Sequence, residues 1–262
     1  MRLFSHTCSN TEIVCALGCA DLLIGIDTDS DYPPAVVAGL PKLGRDLDLD
    51  VAGVIALQPD LVLTSLTVPG HERIVAELEA AGLRTLTCDP LGLEDIYGDI
   101  RRIAQALGVT ERGEKLVAEM RAAMPEVTLP HAPKILIEWW PKPVIAPARQ
   151  SWATDLVALA GGINPWGAVE AKSAPLTDEQ IIAAAPDVVV MSWCGVKEEN
   201  YRVEIVRRRP GWEQVPALRH ECIVPITEAW LGRPGPRLVE GYRALRRVID
   251  AAAAELGEAG TG

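Results

Sequence analysis

Two segments of this chain repeat one pattern of hydrophobic and polar positions. VIALQPDLVLTS begins at Val54 and IIAAAPDVVVMSW begins at Ile181, and each places Pro-Asp between an apolar stretch and a β-branched run. Because proline cannot continue a helix, each Pro-Asp pair predicts the end of a short helix. The continuous apolar runs that follow are typical of strands covered on both faces, as in a parallel sheet.

A second pair of segments repeats in the same order along the chain. TEIVCALGCADLLIGI begins at Thr11 and TDLVALAGGINPWG begins at Thr154. Each predicts a helix with the threonine as its N-cap and glycine near its end. The spacing between copies is similar but unequal in the two pairs. We therefore interpret the chain as two copies of an α/β lobe that carry different insertions.

The stretch between the two copies has a helical pattern. Residues 93–108 place apolar side chains on one face, and a long amphipathic segment begins at Thr110. We predict an N-terminal α/β lobe over residues 1–108, a linking helix over 109–130 and a C-terminal α/β lobe over 131–262. Ligands of open α/β sheets bind beyond the carboxyl ends of the strands. The binding site is therefore expected among the strand-end loops, in a cleft between the lobes.

Composition and charge exclude several classes of protein. The net charge is −11 and the isoelectric point is about 4.9, whereas nucleic-acid binding needs a basic surface. No stretch reaches the roughly 20 apolar residues of a membrane helix, so no membrane insertion is expected. No signal peptide is visible after Met1, which predicts a cytoplasmic protein, or a periplasmic or lipid-anchored one if a leader has been removed. The 6 scattered cysteines predict no disulfide framework.

Six motifs extend the internal pattern across nearly the whole chain. In chain order they read SNTEIVCALG, DYPP, VIALQPDLVL, LVALAGGINPW, EQIIAAAPDVVV and RPGPRLVEG. With this ordered set the chain resembles the class III substrate-binding proteins, which serve ABC importers of vitamin B12 and ferric siderophores. It is most similar to their cobalamin-binding subgroup. The resemblance implies an α/β fold of two lobes, each a mostly parallel β-sheet flanked by helices, joined by a single long linking helix.

The same resemblance implies a function. The chain is expected to bind a corrinoid, such as cobalamin, without catalysis, for uptake, salvage or delivery. No cofactor is required for such binding, and we expect the protein to act as a monomer.

The resemblance also implies a docking surface for an ABC permease. Members of the family use one carboxylate on each lobe, and in the C-terminal lobe the matching position is Glu179. In the N-terminal lobe the matching position is Ala52, although Asp48 and Asp50 lie close in the sequence. This departure leaves open a cytosolic role in corrinoid storage, salvage or delivery.

The candidate ligand-binding residues lie in the predicted strand-end loops. Tryptophan offers a flat apolar face and one N–H group, which suits a large flat ligand such as a corrin ring, and the resemblance places Tyr32 at the ligand. Loop residues before the first helix offer amide and polar groups, and arginines suit the acidic groups of a ferric siderophore. The full set is His6, Cys8, Ser9, Asn10, Tyr32, Arg45, Leu66, Thr67, Trp140, Trp152, Trp193, Trp230 and Arg233.

Other chemistry has fewer candidates. His6 and His71 are the candidate metal ligands, with hydrogen-bonded packing as the alternative role of each, because no convergent set of three or four ligands is evident. The chain carries no motif of a serine hydrolase, zinc protease or kinase, which predicts that it is not an enzyme. Two alternatives stay open. One is a ferric siderophore or haem binding protein, and the other is a cytosolic enzyme or corrinoid-trafficking factor that uses Cys194, whose pKa a helix N-terminus is expected to lower.

Overall fold

The computed structural model describes residues 1–259, which form two compact units. The first unit holds Met1–Pro90 and Glu94–Met120, and the second holds Leu91–Leu93 and the chain from Arg121 onwards. Residues 260–262, the end of the predicted C-terminal lobe, lie outside the described residues. None of the helices within residues 1–259 combines the length and the apolar character needed to cross a bilayer.

The first unit is an α/β structure. Its strands are β1 (Leu3–Ser5), β2 (Leu23–Ile26), β3 (Gly44–Arg45), β4 (Asp48–Leu49), β5 (Leu61–Ser65) and β6 (Thr85–Cys88). Its helices are α1 (Cys8–Ala16), α2 (Pro34–Val37), α3 (Val51–Ala56), α4 (His71–Ala80), α5 (Leu93–Ala106) and α6 (Thr110–Ala123), of which α6 continues into the second unit. The main sheet is parallel throughout, in the order β2-β1-β5-β6, and β3 pairs with β4 in a short antiparallel hairpin.

The second unit repeats the parallel arrangement and adds an antiparallel sheet. Its strands are β7 (Ile135–Glu138), β8 (Trp140–Pro141), β9 (Val144–Pro147), β10 (Ser173–Leu176), β11 (Val188–Met191) and β12 (Ile223–Pro225). Its helices are α7 (Trp152–Leu159), α8 (Asp178–Ala184), α9 (Val203–Arg207), α10 (Pro216–Arg219), α11 (Glu228–Leu231) and α12 (Leu238–Ala259). Strands β12, β11 and β7 form a parallel sheet in that order, whereas β10, β9 and β8 form the antiparallel sheet, which the sequence pattern did not predict.

The repeated Pro-Asp motif joins neighbouring strands in the same way in both units. The backbone N–H of Arg2 donates to the Asp60 carboxylate at 2.6 Å, and the N–H of Asp60 donates to the Arg2 carbonyl at 2.8 Å. Lys134 and Asp187 exchange the corresponding bonds at 2.7 and 2.9 Å. Each pair lies just before two adjacent parallel strands, β1 with β5 and β7 with β11, and so aligns their amino ends. The predicted sequence of helix end, Pro-Asp and buried strand is confirmed.

The predictions of Thr11 and Thr154 as N-caps are both wrong, because each helix begins earlier in the sequence than predicted. Helix α1 begins at Cys8 and α7 begins at Trp152, so Thr11 and Thr154 lie inside the helices. The Thr11 hydroxyl donates to the hydroxyl of Ser5 at 2.9 Å, and the Thr154 hydroxyl donates to a backbone carbonyl beyond β9 at 2.6 Å. Each threonine therefore ties its helix to the segment at the end of the strand that precedes the helix.

We expect Asp187→Ala to lower the free energy of unfolding by about 1–2 kcal/mol. The Lys134 N–H then loses a charged acceptor at the start of β7, where partial exposure to water limits the loss. Urea-induced unfolding followed by far-UV circular dichroism measures the change. The control is Glu213→Ala, which removes an exposed acid of the same unit and should change stability by less than about 0.5 kcal/mol. Equal stabilities of the two variants would contradict the aligning role of the motif.

Candidate functional site

In the first unit, the predicted ligand-binding residues lie at the carboxyl ends of the parallel strands. His6 follows β1, Tyr32 lies in the loop after β2, and Leu66 and Thr67 follow β5. Tyr32 is exposed, whereas Leu66 and Thr67 are half-buried and His6 is buried. Arg45 lies in the β3–β4 hairpin, which lies between β2 and β5 in the sequence. The topology thus places residues from distant parts of the sequence at the same edge of one sheet.

A buried carboxylate that the sequence pattern did not reveal holds these loops together. One oxygen of Asp27 accepts from the backbone N–H of Thr7 at 2.9 Å and from the Ser30 hydroxyl at 2.6 Å. The other oxygen accepts from the N–H groups of Asp29 and Ser30, each at 2.9 Å. Burial raises the pKa of Asp27 above its usual range, and the hydrogen bonds from Ser30 oppose that rise. An aspartate followed by polar turn residues is the signal that could have identified this site. The hydrogen bonds to Asp27 therefore hold the start of the loop that carries Tyr32 in one position.

Three polar candidates near the start of α1 bond mainly within the unit. The Asn10 amide donates to the carbonyls of His6 and Thr64 at 2.9 and 3.0 Å, and the residue is buried. Ser9 is also buried. Cys8 is half-buried, and its thiol donates to a carbonyl of the loop after β2 at 3.0 Å. We reassign Asn10 and Ser9 from ligand binding to a structural role, because neither presents a polar surface, and we keep Cys8 as a candidate.

The two candidate metal ligands of the sequence pack against each other. The ring centroids of His6 and His71 lie 5.0 Å apart, and both residues are buried. The His6 Nε2 atom lies 2.7 Å from the backbone carbonyl of Asp46 and so carries the ring proton, because a carbonyl only accepts. Burial lowers the pKa of His6 to about 4. Among residues 1–259 no three His, Cys, Asp or Glu side chains come together as a metal centre, so packing is the role we assign to this pair.

Two apolar side chains that were not predicted share the exposed surface of the first unit. Leu47 at the tip of the β3–β4 hairpin is 43% exposed, and Val68 in the loop after β5 is 37% exposed. A Cβ atom on Gly70 would lie 3.2 Å from the Leu47 side chain, so the two loops are adjacent. Arg45 on the same hairpin is exposed, and its guanidinium lies 3.3 Å from the Asp29 carboxylate. Turn residues have no periodic pattern, which is why Leu47 and Val68 escaped detection.

In the second unit, the candidate residues also cluster after the strands. Trp140, the first residue of β8, comes two residues after the end of β7 and is 43% exposed. Trp230 lies in α11, after β12, and is half-buried. Trp152 is the first residue of α7, and its indole N–H donates to the Leu231 carbonyl at 2.7 Å. Arg233 is mostly buried, and its guanidinium lies 3.6 Å from a carboxylate of α11. Three indoles thus keep part of their surface open to solvent.

A buried ion pair lies at the centre of this part of the second unit. The Glu138 carboxylate at the end of β7 accepts two bonds from the Arg209 guanidinium, one of them at 3.0 Å. The Trp193 indole N–H donates to the same carboxylate at 3.2 Å, and the guanidinium stacks on Trp212 at 4.5 Å from the ring centre. Burial raises the pKa of Glu138, and Arg209 opposes that rise. Trp193 is 3% exposed, so we reassign it from ligand contact to the core.

The Cys194 thiol does not have the environment that was predicted for a nucleophile. The residue is exposed, yet the surrounding protein desolvates its sulfur, and the charge of Glu228 adds to that effect. Together they raise the pKa of Cys194 to about 12. The expected lowering by a helix N-terminus is wrong, since β11 is followed by a turn and a short 3-10 segment at Glu198–Asn200. A thiol that stays protonated at neutral pH is a poor nucleophile.

The two docking positions predicted from the resemblance are equivalent in the two units. Glu179 is the second residue of α8 and Ala52 is the second residue of α3, and both are exposed. The backbone amide of Glu179 and the hydroxyl of Thr177 lower the pKa of the Glu179 carboxyl, which is therefore charged at neutral pH. Asp50, two residues before Ala52, is the N-cap of α3, and its carboxylate accepts from the backbone N–H of Gly53 at 2.9 Å.

The chain has the fold of the class III periplasmic binding proteins, in which parallel sheets are flanked by helices. Residues 5–229 match the family described as periplasmic binding protein, and the chain belongs to this family.

Several relatives and solved structures match nearly the whole chain. The uncharacterized ABC transporter substrate-binding lipoprotein YvrC of Bacillus subtilis is 27% identical over 258 residues, which cover 95% of this chain and 79% of the relative. The vitamin B12-binding protein of Vibrio cholerae is 22% identical over 244 residues, or 91% and 85% of the two chains. The apo structure of the periplasmic heme-binding protein RhuT from Roseiflexus sp. RS-1 has a TM-score of 0.81 and 29% identity, and covers 96% and 98%.

We expect Arg209→Met to lower the free energy of unfolding by about 3–5 kcal/mol, because it leaves the buried Glu138 carboxylate without its counter-charge. Denaturant unfolding followed by tryptophan fluorescence measures the change. Arg208→Met, which removes an exposed neighbouring charge, is the matched control and should stay within about 0.5 kcal/mol of the wild type.

A double variant separates the ion pair from the packing of the arginine. Combining Arg209→Met with Glu138→Leu removes the uncompensated charge and should recover most of the lost stability. A double variant as unstable as Arg209→Met alone would show that lost contacts of the arginine, rather than the unpaired carboxylate, cause the loss.

Proposed function

We propose that this protein is the substrate-binding protein of an ABC transporter and that it binds a corrinoid of the cobalamin type without catalysing a reaction. Membership of the periplasmic binding protein family, over residues 5–229, carries the general part of the proposal. The substrate-binding lipoprotein YvrC, which matches 95% of this chain, supports the transporter role, and the vitamin B12-binding protein, which matches 91%, supports the corrinoid ligand. We further propose that the protein acts as a monomer with no resident cofactor.

Aromatic side chains open to solvent at the strand ends of each unit, Tyr32 in the first and three tryptophans in the second, support a large and flat ligand. Tyr32 and Trp140 are 41% and 43% exposed, and Trp152 and Trp230 are half-buried. Burying apolar area contributes about 25 cal/mol per Å2, less the cost of ordering the ligand and the side chains. The carboxylate of Asp27 already holds the loop that carries Tyr32, which reduces that ordering cost.

The charges near these surfaces favour a ligand with a neutral edge. Arg45 lies 3.3 Å from the Asp29 carboxylate, and Arg233 lies 3.6 Å from that of Glu228. Arg149 is paired with an acidic side chain as well. A cobalamin surrounds its ring with neutral amides, whereas a haem or a siderophore brings carboxylates or other anions that need cations. Arginines that already have carboxylate partners therefore suit the corrinoid better.

Haem or a ferric siderophore is the second candidate ligand. The solved haem-binding protein RhuT is similar to this chain over nearly its full length, at 29% identity. A porphyrin and a corrin both present a flat face, so the aromatic side chains by themselves favour neither. The choice between them rests on the paired arginines and on the vitamin B12-binding relatives.

A cytosolic enzyme or trafficking factor that uses Cys194 is the less favoured alternative. The pKa of about 12 leaves very little thiolate at neutral pH. A variant with Cys194→Ser should therefore retain ligand affinity, and a turnover that disappears in this variant would reverse our preference.

The ligand proposal predicts an order of affinities. Calorimetric titration of the purified protein should give micromolar or tighter binding of cyanocobalamin, and binding at least about tenfold weaker for hemin and for a ferric hydroxamate. Tyr32→Ala and Trp140→Ala should each weaken cyanocobalamin binding by about 5- to 30-fold, because each removes an exposed aromatic contact.

The matched control is Ile163→Ala. Ile163 is 48% exposed, but it is bonded to the amino end of β7 and lies far along the sheet from the carboxyl ends. The Ile163→Ala variant should bind cyanocobalamin with the same affinity as the wild-type protein. Tighter binding of hemin than of cyanocobalamin would move the assignment to haem.

The importer role predicts a separate function for Glu179. In cells of the native host, Glu179→Ala should reduce the uptake of cyanocobalamin at least about fivefold. An exposed, charged carboxylate at a protein–protein contact contributes mainly through charge pairing, which this variant removes. The purified variant should keep its affinity for the ligand. Glu213→Ala is the control, and unchanged uptake in Glu179→Ala cells would favour the storage and delivery roles over import.

A further inference from the structure

The β3–β4 hairpin carries Leu47 at its tip. Its base is held by Leu49, which packs in the core, and by the Gly44 carbonyl, which accepts from the Thr28 N–H at 2.7 Å, whereas the part next to the tip is held through Asp46. The Asp46 N–H donates to the Asp29 carboxylate at 3.1 Å, and the Asp46 carbonyl accepts from His6 Nε2 at 2.7 Å. Arg73 of α4 donates to the Leu47 carbonyl at 2.9 Å. Because one of these bonds is made by the imidazole of His6, the position of the hairpin depends on the protonation of that ring.

A second proton on His6 would have no hydrogen-bond acceptor. The Nε2 atom already donates to a carbonyl, so an added proton must bind Nδ1. Nδ1 is buried and has no hydrogen-bond partner within residues 1–259, and the ring of His71 packs against the imidazole. Protonation would bury a charged N–H group without an acceptor, which is costly in a protein interior.

We propose that His6 is a positioning residue that makes the β3–β4 hairpin sensitive to pH, so that acidification protonates the imidazole and releases the hairpin with Leu47. The inference rests on the proposed function in one respect, because it takes exposed Leu47 as part of the ligand-binding surface. Opening the hairpin gives Nδ1 access to water, where a charged ring is stable. Ligand binding by the first unit is then strongest at neutral pH and weaker in acid.

Other charged groups surround His6 and Asp46. From the loop after β2, the hairpin and α4, these groups are Asp27, Asp29, Arg45, Arg73 and His71. Contact with His71, at 3.5 Å, lowers the pKa of Asp46, so this carboxylate stays charged while His6 titrates. Burial raises the pKa of Asp27, whose protonation favours the folded unit and opposes the effect of His6.

The direction of the pH effect follows from linkage. The His6 pKa is about 4 in the closed hairpin and returns to an ordinary value of about 6.5 when the ring meets water, so the open form binds the proton more tightly. The closed form has its full advantage above pH 6.5 and loses it as the pH falls towards 4. Between pH 7 and pH 5 the ratio of closed to open hairpin should fall by about 20-fold.

Amide hydrogen exchange followed by NMR measures this ratio without any ligand. The Thr28 N–H donates to the Gly44 carbonyl at 2.7 Å, and the Asp46 N–H bonds across the same junction. After correction for intrinsic exchange, protection of both amides should fall about 20-fold between pH 7 and pH 5. In His6→Gln, whose amide reaches the position of Nε2 but does not titrate, this fall should disappear.

His220→Gln removes an exposed histidine of the other unit and is the matched control, in which the 20-fold fall should persist. If His6→Gln does not fold, the 15N chemical shifts of the His6 ring in the wild-type protein serve as the test, because they report which ring nitrogen carries a proton. A ring protonated only on Nε2 at pH 5.5 supports the inference. Protonated Nδ1 at that pH with the hairpin still protected, or protection that does not change with pH, overturns it. Since none of these measurements uses ligand, failure of cyanocobalamin to bind is a separate result.

Discussion

Each unit depends on one buried carboxylate at the carboxyl end of its sheet. Asp27 in the first unit and Glu138 in the second are both fully buried. A buried charge is tolerated only when its oxygens are hydrogen-bonded or paired, so the groups that surround these carboxylates must stay in place. In the first unit those groups are backbone amides and a serine of the loops, and in the second they are a guanidinium and an indole. The loops at the strand ends are thereby held in position before any ligand arrives.

This internal support explains why some polar and aromatic residues of the loops are unavailable to a ligand. Asn10 and Trp193 use their side-chain N–H groups to hold neighbouring segments, and both are buried. Among the side chains that remain open at the strand ends of the two units are Tyr32, Leu47 and Trp140. These side chains offer the apolar contact area on which the proposed binding of a large, flat ligand relies.

Some features of the fold could be predicted from the sequence because they depend on local chemistry. The Pro-Asp motif marks a helix end and a strand start in both halves, since proline cannot continue a helix and a β-branched run favours a strand. The helix starts were misplaced at Thr11 and Thr154 because a threonine beside an acid has the composition of an N-cap. Inside the fold, both hydroxyls instead bond to segments that end the preceding strand.

The sequence by itself determined the α/β class, the internal duplication and the position of the candidate loops, because periodicity and turn chemistry act within a few residues. Only the tertiary structure decided which candidates share a surface and which are buried. His6 and His71 are far apart in sequence, yet their rings lie 5.0 Å apart. Glu138 meets an arginine 71 residues away, and Cys194 has a raised rather than a lowered pKa. Burial and charge pairing of this kind depend on the folding of distant segments together, which no local pattern records.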